Sequence, residues 1–379
     1  MPFVNFVNTP IENAVSAWYV SDAKRIISGQ SSLTVIGITG SYGKTSNKYI
    51  LHRILSEKFN VLMTPESYNT TMGVVRTIRE QLKPSHNIFI AEMGAKKRGD
   101  IKEICDIVHP TYGLITSIGP AHLESFKTIE NTAAAKFELV DALPDSGVAF
   151  LNYSNDIIKN KSVSKKVISY GIENNTLSFW AENIEYVKEG LTFTLKSSSG
   201  LELSLKTKLL GENNVVNITG AASIALTLGI EPESVAFAVS KLVPVTHRLE
   251  LKHSAAYTVI DDAFNSNPSG ASEALNVLSR FKDKKRILIT PGMVELGTKE
   301  YELNKEFGKH AADCCDIVIP VGIKRSIPIV EGLREGGFDE EHIHVVKNLN
   351  EALEKLKHIA DADSIVLFEN DLPDNYEEN

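Results

Sequence analysis

The stretch TVIGITGSYGKTS, residues 34–46, runs an apolar segment up to Thr39 and then through Gly40, Ser41, Tyr42 and Gly43 into Lys44, Thr45 and Ser46. Glycines there let backbone N–H groups turn inward around phosphate oxygens, and a helix beginning at Lys44 adds partial positive charge. Lys44 offers a full charge to β- and γ-phosphates, and the Thr45 hydroxyl suits Mg²⁺. The spacing is G-x-x-G-K-T, shorter than the common G-x-x-x-x-G-K-[ST] loop. A glycine-rich turn with an exposed lysine is the simpler reading, but strand, loop and helix occurring together favour phosphate binding. Glu92 ends the apolar run NIFIAE, which places a carboxylate at the C-terminal edge of a sheet, beside that loop, where open α/β sheets bind ligands. His122, after SIGPA, is by itself either a loop histidine or a ligand. Lys136 in AAAKFELVDAL lies on an amphipathic helix, where it has Glu138 as a possible partner. Asn69, Thr70 and Thr71 follow a Pro-Glu-Ser turn and suit a helix cap.

The elements that must position these residues follow from periodicity. The first thirty or so residues carry Ala14, Val15, Trp18, Ile26 and Ile27 at helical spacing, a helical preface over 1–32. From Leu33, β-branched runs (TVIGITG, VLMTP, NIFIAEMG, YGLITSIG) alternate with amphipathic stretches, which predicts an α/β domain with a parallel sheet covered on both faces. Between about Leu177 and Leu210 the period becomes two, with Leu191, Phe193 and Leu195 against polar neighbours, an antiparallel meander added to that sheet. Pro244 marks a linker, so the central domain spans 33–245 and a second, smaller doubly wound domain spans 246–379. Its strand candidates are YTVIDDAF, RILITPGM, DIVIPVG, IHVVKN and SIVLFEN; the tail DNYEEN reads as a solvated terminus.

Composition bounds the partners. The 379 residues carry a formal net charge of -8, so no broad positive field is available for nucleic acid or anionic lipid, and small anions must be bound by local groups. No apolar run approaches the roughly 18 to 20 residues of a membrane span, and the start lacks a basic segment followed by an apolar one. Cys105, Cys314 and Cys315 form neither a disulfide framework nor a zinc pattern. A soluble cytoplasmic monomer is expected.

The shortened loop resembles that of the Mur ligases and their folylpolyglutamate synthase relatives. TPESYNTTMG, IAEMGAKKRGDI, ITSIGPAHLESF, AAAKFELVDAL, LNYSND, HRLE, DDAFNSNP and PGMVELG follow in the order seen in the dipeptide-adding branch of that family, over about Leu33 to Gly297. The resemblance implies a ligase that uses ATP and Mg²⁺ to convert a carboxylate to an acyl phosphate and captures it with an amine. The substrates implied are a UDP-N-acetylmuramoyl-tripeptide and D-alanyl-D-alanine. It also implies roles. Gly40, Ser41, Gly43, Lys44, Thr45, Ser46 and Asn214 bind the nucleotide; Thr45, Glu92, His122 and Lys136 serve the metal; and Asn69, Thr70 and Thr71 lie near the transferred phosphoryl. Arg248 meets the phosphates, and Asp262, Asn265 and Asn267 meet the ribose and base. The matching lysine of the family is carbamylated, which turns a repelling ammonium into anionic oxygens; forming it requires a neutral amine at Lys136. A folylpolyglutamate or poly-γ-glutamate type ligase, and an ATP-binding partner subunit without turnover, are the rival expectations. Departures fall on substrate recognition: about thirty residues stand for the N-terminal uridine-nucleotide domain, Asn213 replaces a histidine, Lys96 and Lys97 replace Asn and His, and FENDLPDNY stands where K-G-S-R is common.

Overall fold

The computed structural model describes residues 2–120, 123–187, 190–264 and 266–371. His122, Asn265 and the tail DNYEEN lie outside the described residues. The chain opens with α1 (Pro2–Ser28), β1 (Thr34–Thr39), α2 (Lys44–Leu55), β2 (Val61–Met63), α3 (Thr71–Gln81), β3 (Ile88–Glu92), α4 (Asp100–Val108) and β4 (Tyr112–Ile115). It continues through α5 (Leu123–Phe126), α6 (Ile129–Asp141), β5 (Val148–Asn152), α7 (Asp156–Lys159), β6 (Lys166–Ile172), β7 (Phe179–Val187), β8 (Gly190–Ser197) and β9 (Glu202–Thr207), then α8 (Glu212–Thr227) and α9 (Pro232–Ser240).

These strands form one sheet in the order β2-β3-β1-β4-β5-β6-β7-β8-β9. Pairing is parallel from β2 to β7 and antiparallel from β7 to β9, so the meander extends the parallel sheet rather than standing apart from it. Strand alternation sends Ile36, Ile38, Ile88 and Ile90 to one core, with Leu51 and Ile54 of α2 and Val215 and Ile218 of α8. Val35, Phe89 and Ala91 face the other, with Val74 of α3, Ile104 of α4 and Leu139 of α6. Helix α1 joins this second face through Ala23 and Ile27, and Arg79 clamps it by pairing with Asp22 at 2.9 Å and stacking over Tyr19 at 4.1 Å. The preface is therefore built into the central domain, although Val15 and Trp18 remain exposed.

The second domain comprises β10 (Glu250–His253), β11 (Thr258–Asp262), α10 (Pro268–Ser279), β12 (Lys285–Thr290), α11 (Glu300–Cys314), β13 (Ile317–Pro320), α12 (Ile327–Glu335), α13 (Leu349–Ile359) and β14 (Ser364–Glu369). Its sheet runs β10-β11-β14-β12-β13, parallel except for the β10–β11 pair. The strand expected over IHVVKN is absent. That segment makes only two isolated bridges, Val318 to Ile343 and Val321 to Val346, and Val345 is exposed, so the outer edge lacks the buried alternation that would close a ladder.

Close approach of α6 to the sheet sets the position of Lys136. Leu139, one turn further along, presses onto two glycines: a Cβ on Gly37 would stand 2.6 Å from Leu139 Cδ1, and one on Gly113 3.1 Å from its Cγ. Neither glycine has a side chain that could move into space vacated by Leu139. Leu139→Ala is therefore expected to cost about 3–5 kcal/mol, the upper part of the range for buried leucine truncation, read from the midpoint of a denaturant titration.

Candidate active site

A cleft of about 1020 Å³ lies between the two domains, lined from the first by Gly40–Thr45, Asn69–Met72, Glu92, Lys96, Lys97 and Lys136, and from the second by Arg248, Phe264, Ser266, Asn267, Glu295 and Asn370. Its floor is the phosphate loop. Gly43 caps α2 with φ 76°, a left-handed conformation that favours glycine, and no side chain caps the helix, so its first N–H groups are left for an anion. The segment after β4 holds the loop in shape: Ser41 N donates to Ser117 O at 2.7 Å, Tyr42 N to Ser117 Oγ at 3.2 Å, and the Thr116 hydroxyl to the Tyr42 carbonyl.

Lys44 curls over the loop, donating to the carbonyls of Gly40 (2.8 Å) and Ser41 (3.2 Å). Burial lowers its pKa, the field of Glu92 opposes that, and Arg248 adds to it. Three groups converge on the Glu92 carboxylate: Thr45 Oγ1 donates to Oε1 at 3.1 Å, Asn69 Nδ2 to the same oxygen at 3.0 Å, and Lys48 Nζ stands 3.0 Å from Oε2. Thr70 is the N-cap of α3, accepting from Gly73 N, and Thr71 donates to Glu103 at 2.8 Å, so the expected capping role and a place in the cleft coexist.

Lys136 is 3% exposed. Burial and then the field of Lys44 push its pKa down to about 7, against the opposing fields of Asp100 and Glu138. The pairing with Glu138 open to it from sequence is not what forms: that carboxylate accepts from Gly99 N at 2.7 Å and Lys102 N at 3.1 Å, serving the start of α4 instead.

From the second domain, Arg248 sits between two residues with positive φ, His247 (60°) and Leu249 (46°), and its guanidinium lies 4.8 Å from the centre of the Phe264 ring. Asp262 does not line the cleft. Its Oδ1 accepts from Leu249 N at 3.0 Å, bracing the turn that presents Arg248, and burial pushes its pKa up to about 6. Asn267 caps α10 through Gly270 N at 3.0 Å and lines the cleft. Asn214 lies off the cleft but reaches the loop through a relay: Asn217 Nδ2 donates to Asn214 at 3.4 Å, Asn47 Nδ2 donates to Asn217 at 2.6 Å and to the Gly43 carbonyl at 3.2 Å. Ser46 does not line the cleft either.

Sequence reasoning passed over Lys48, although a signal was present. It shares the buried face of α2 with Leu51 and Leu55, a position where a lysine is out of place unless paired. It also left FENDLPDNY without a role. Glu369 is buried and accepts from Thr290 Oγ1 at 2.8 Å and from the Ser266 hydroxyl, while Asn370 (φ 65°) accepts from Ser266 N at 3.1 Å and donates to Gly292 O at 2.6 Å.

Among the described residues no group of three or more His, Cys, Asp or Glu forms a ready-made metal cage. One carboxylate oxygen beside a threonine hydroxyl and a phosphate-binding loop is a hard-oxygen set suited to Mg²⁺, which is commonly held by one or two carboxylates together with substrate phosphates.

This architecture, a shortened phosphate loop on a parallel sheet closed by a second α/β domain, defines a nucleotide-dependent ligase fold. Residues 38–225 match the Mur ligase middle domain and residues 247–369 the Mur ligase glutamate ligase domain, and the chain belongs to the Mur ligase family. It is 29% identical over 338 residues to UDP-N-acetylmuramoyl-tripeptide-D-alanyl-D-alanine ligase of Bacillus subtilis, covering 88% of this chain and 72% of that one. To the enzyme of the same name from Buchnera aphidicola it is 32% identical over 312 residues, 81% of this chain and 65% of that one. MurF from Acinetobacter baumannii superposes with a TM-score of 0.83 at 26% identity, over 93% of this chain and 77% of that one. The chain thus spans 65 to 72% of the length of the two curated relatives. Among the described residues no helix is long and apolar enough to cross a membrane.

An amine with its pKa near 7 is neutral as pH rises past that point, whereas ordinary lysines stay charged to about 10.4. Acylation of Lys136 by a small amine-directed reagent, followed by mass spectrometry of its peptide, is expected to show a midpoint near pH 7. The sign for stability is the same: between about 7 and 10 the unfolded chain holds this proton and the folded one does not, so stability rises with pH there. Lys136→Met should flatten that rise.

Proposed function

We propose that this chain activates a carboxylate as an acyl phosphate at the expense of ATP and joins it to an amine. The substrates it would use are those its relatives are named for: a UDP-N-acetylmuramoyl-tripeptide and D-alanyl-D-alanine. The observation that carries the reading is that Lys44, Glu92, Lys136 and Arg248, from four separate segments, face one cleft between two domains.

In this mechanism the loop N–H groups and Lys44 bind the β- and γ-phosphates, and Arg248 approaches from the second domain to spread charge on the transferred phosphoryl. A carboxylate oxygen of the donor forms a bond to the γ-phosphorus as the bond to ADP breaks. The acceptor amine then attacks the acyl carbon, and the tetrahedral intermediate expels phosphate to leave the amide. Contact between the two domains keeps water from the acyl phosphate. Thr45 and Glu92, with His122 and Lys136, would hold Mg²⁺, which supplies Lewis-acid polarisation of phosphate oxygens. For Lys136 to serve there, its neutral nitrogen bonds to the carbon of CO₂ and releases a proton, giving a carbamate. Asn69, Thr70 and Thr71, which line the cleft, would meet the transferred phosphoryl, and Asn267, which also lines it, would meet the nucleoside with Asn265. The division of labour follows residues 33–245 for the phosphates and 246–379 for Arg248 and the nucleoside. Because both halves of the cleft come from one chain, a monomer in the cytoplasm suffices.

Lys44→Ala is expected to lower ATP-dependent phosphate release at least a thousandfold; near-parental turnover would remove the loop from the reaction. Lys136→Ala should be similarly impaired, and formate or acetate should recover part of the activity by supplying the missing carboxylate oxygens. A donor and acceptor panel read by mass spectrometry of the product tests the substrates. An amide made only with glutamate as acceptor would favour a polyglutamate-type ligase, and ATP binding without any product would favour a subunit lacking turnover.

A further inference from the structure

Lys48 stands one helical turn beyond Lys44, and its ammonium has no access to the cleft. The side chain is 0% exposed and that of Glu92 is 1% exposed, with Nζ 3.0 Å from Oε2. The same ammonium donates to the carbonyl of Glu66, in the turn that leads to Asn69. Burying such a pair is costly, and apolar residues of similar volume commonly replace one without loss of stability. Packing alone therefore gives no reason for a lysine at this point of α2.

We propose that Lys48 is a positioning residue for the divalent-cation site. Its charge stands 3.0 Å from Oε2 of Glu92 without a hydrogen bond to that oxygen, and holds the carboxylate so that Oε1, where Thr45 Oγ1 and Asn69 Nδ2 converge at 3.1 and 3.0 Å, is the oxygen presented to the cation beside the phosphate loop. Through the Glu66 carbonyl it fixes the 65–69 turn against the same carboxylate, so the Asn69 amide and Glu92 keep their relation. This inference rests on the reading of Glu92 as a Mg²⁺ ligand.

The test uses the purified full chain and calorimetric titration of ATP, first in EDTA and then with increasing Mg²⁺. Lys48→Met is expected to bind ATP in EDTA within about twofold of the parent while the half-saturating Mg²⁺ rises roughly tenfold or more. Lys48→Gln, which keeps an N–H donor for the Glu66 carbonyl, should show a smaller rise. If the methionine variant fails to fold in a thermal melt, the glutamine variant decides by the same comparison. An unchanged Mg²⁺ requirement, or equal losses of ATP affinity with and without Mg²⁺, overturns the proposal. Glu92→Gln separates it from its premise. If that change leaves the Mg²⁺ requirement alone, the assignment of Glu92 falls and Lys48 with it; if it raises the requirement and the Lys48 variants do not, only the role of Lys48 falls.

Discussion

Holding a nucleotide's phosphates in one place obliges the protein to bring its own cations together first. Lys44, Lys136 and Arg248 face a single cleft in a chain whose formal net charge is -8, and each has its pKa lowered by burial. Lys44 and Arg248 each feel the opposing field of Glu92, and Lys44 and Lys136 repel one another. Such a cluster is unfavourable until phosphates enter. The surrounding structure bears that cost: the 116–119 segment pins the loop, Leu139 seats α6 on Gly37 and Gly113, and the buried Glu92–Lys48 pair stiffens the opposite wall.

The same repulsion explains why the cations come from different elements with different solutions. Lys44 folds onto loop carbonyls that partly neutralise it, Arg248 spreads its charge over the Phe264 face, and burial pushes the Lys136 pKa down to about 7. An arginine at position 136 could not take that third course, since a guanidinium stays charged. Asp262 acts at one remove. By holding Leu249 N it fixes two positive-φ residues around Arg248, so the second domain delivers a guanidinium in a set direction rather than a flexible arm.

Much of the central domain was legible in the sequence because phosphate chemistry leaves little choice. A loop needs glycines, a helix start, a lysine and a hydroxyl in order, and the strand period around them marks the sheet edge that carries Glu92. The doubly wound second domain was legible from its strand period, whereas Arg248 was expected only through the resemblance. What sequence did not yield were relations across distance. Asn214 meets the loop through Asn217 and Asn47, Asp262 meets the cleft through Arg248, and Glu138 turns away from Lys136 to cap α4. None of these pairings has a spacing of its own, since each depends on how helices seat on the sheet. IHVVKN misled because its apolar content is that of a strand while its place at the outer edge leaves Val345 exposed.

The end of β14 uses its polar groups on the second domain's own backbone and hydroxyls. Glu369 and Asn370 stand there, and burial pushes the Glu369 pKa up to about 7. Both residues turn inward to hold Ser266 and the 290–292 segment, so they shape the cleft by fixing its backbone rather than by offering a positive charge. Neither position offers a cation to the cleft. Lys96 and Lys97, exposed on the opposite wall, are the cations this chain offers instead. Of these two stretches, the loop between β3 and α4 brings positive charge to the cleft and the end of β14 brings none.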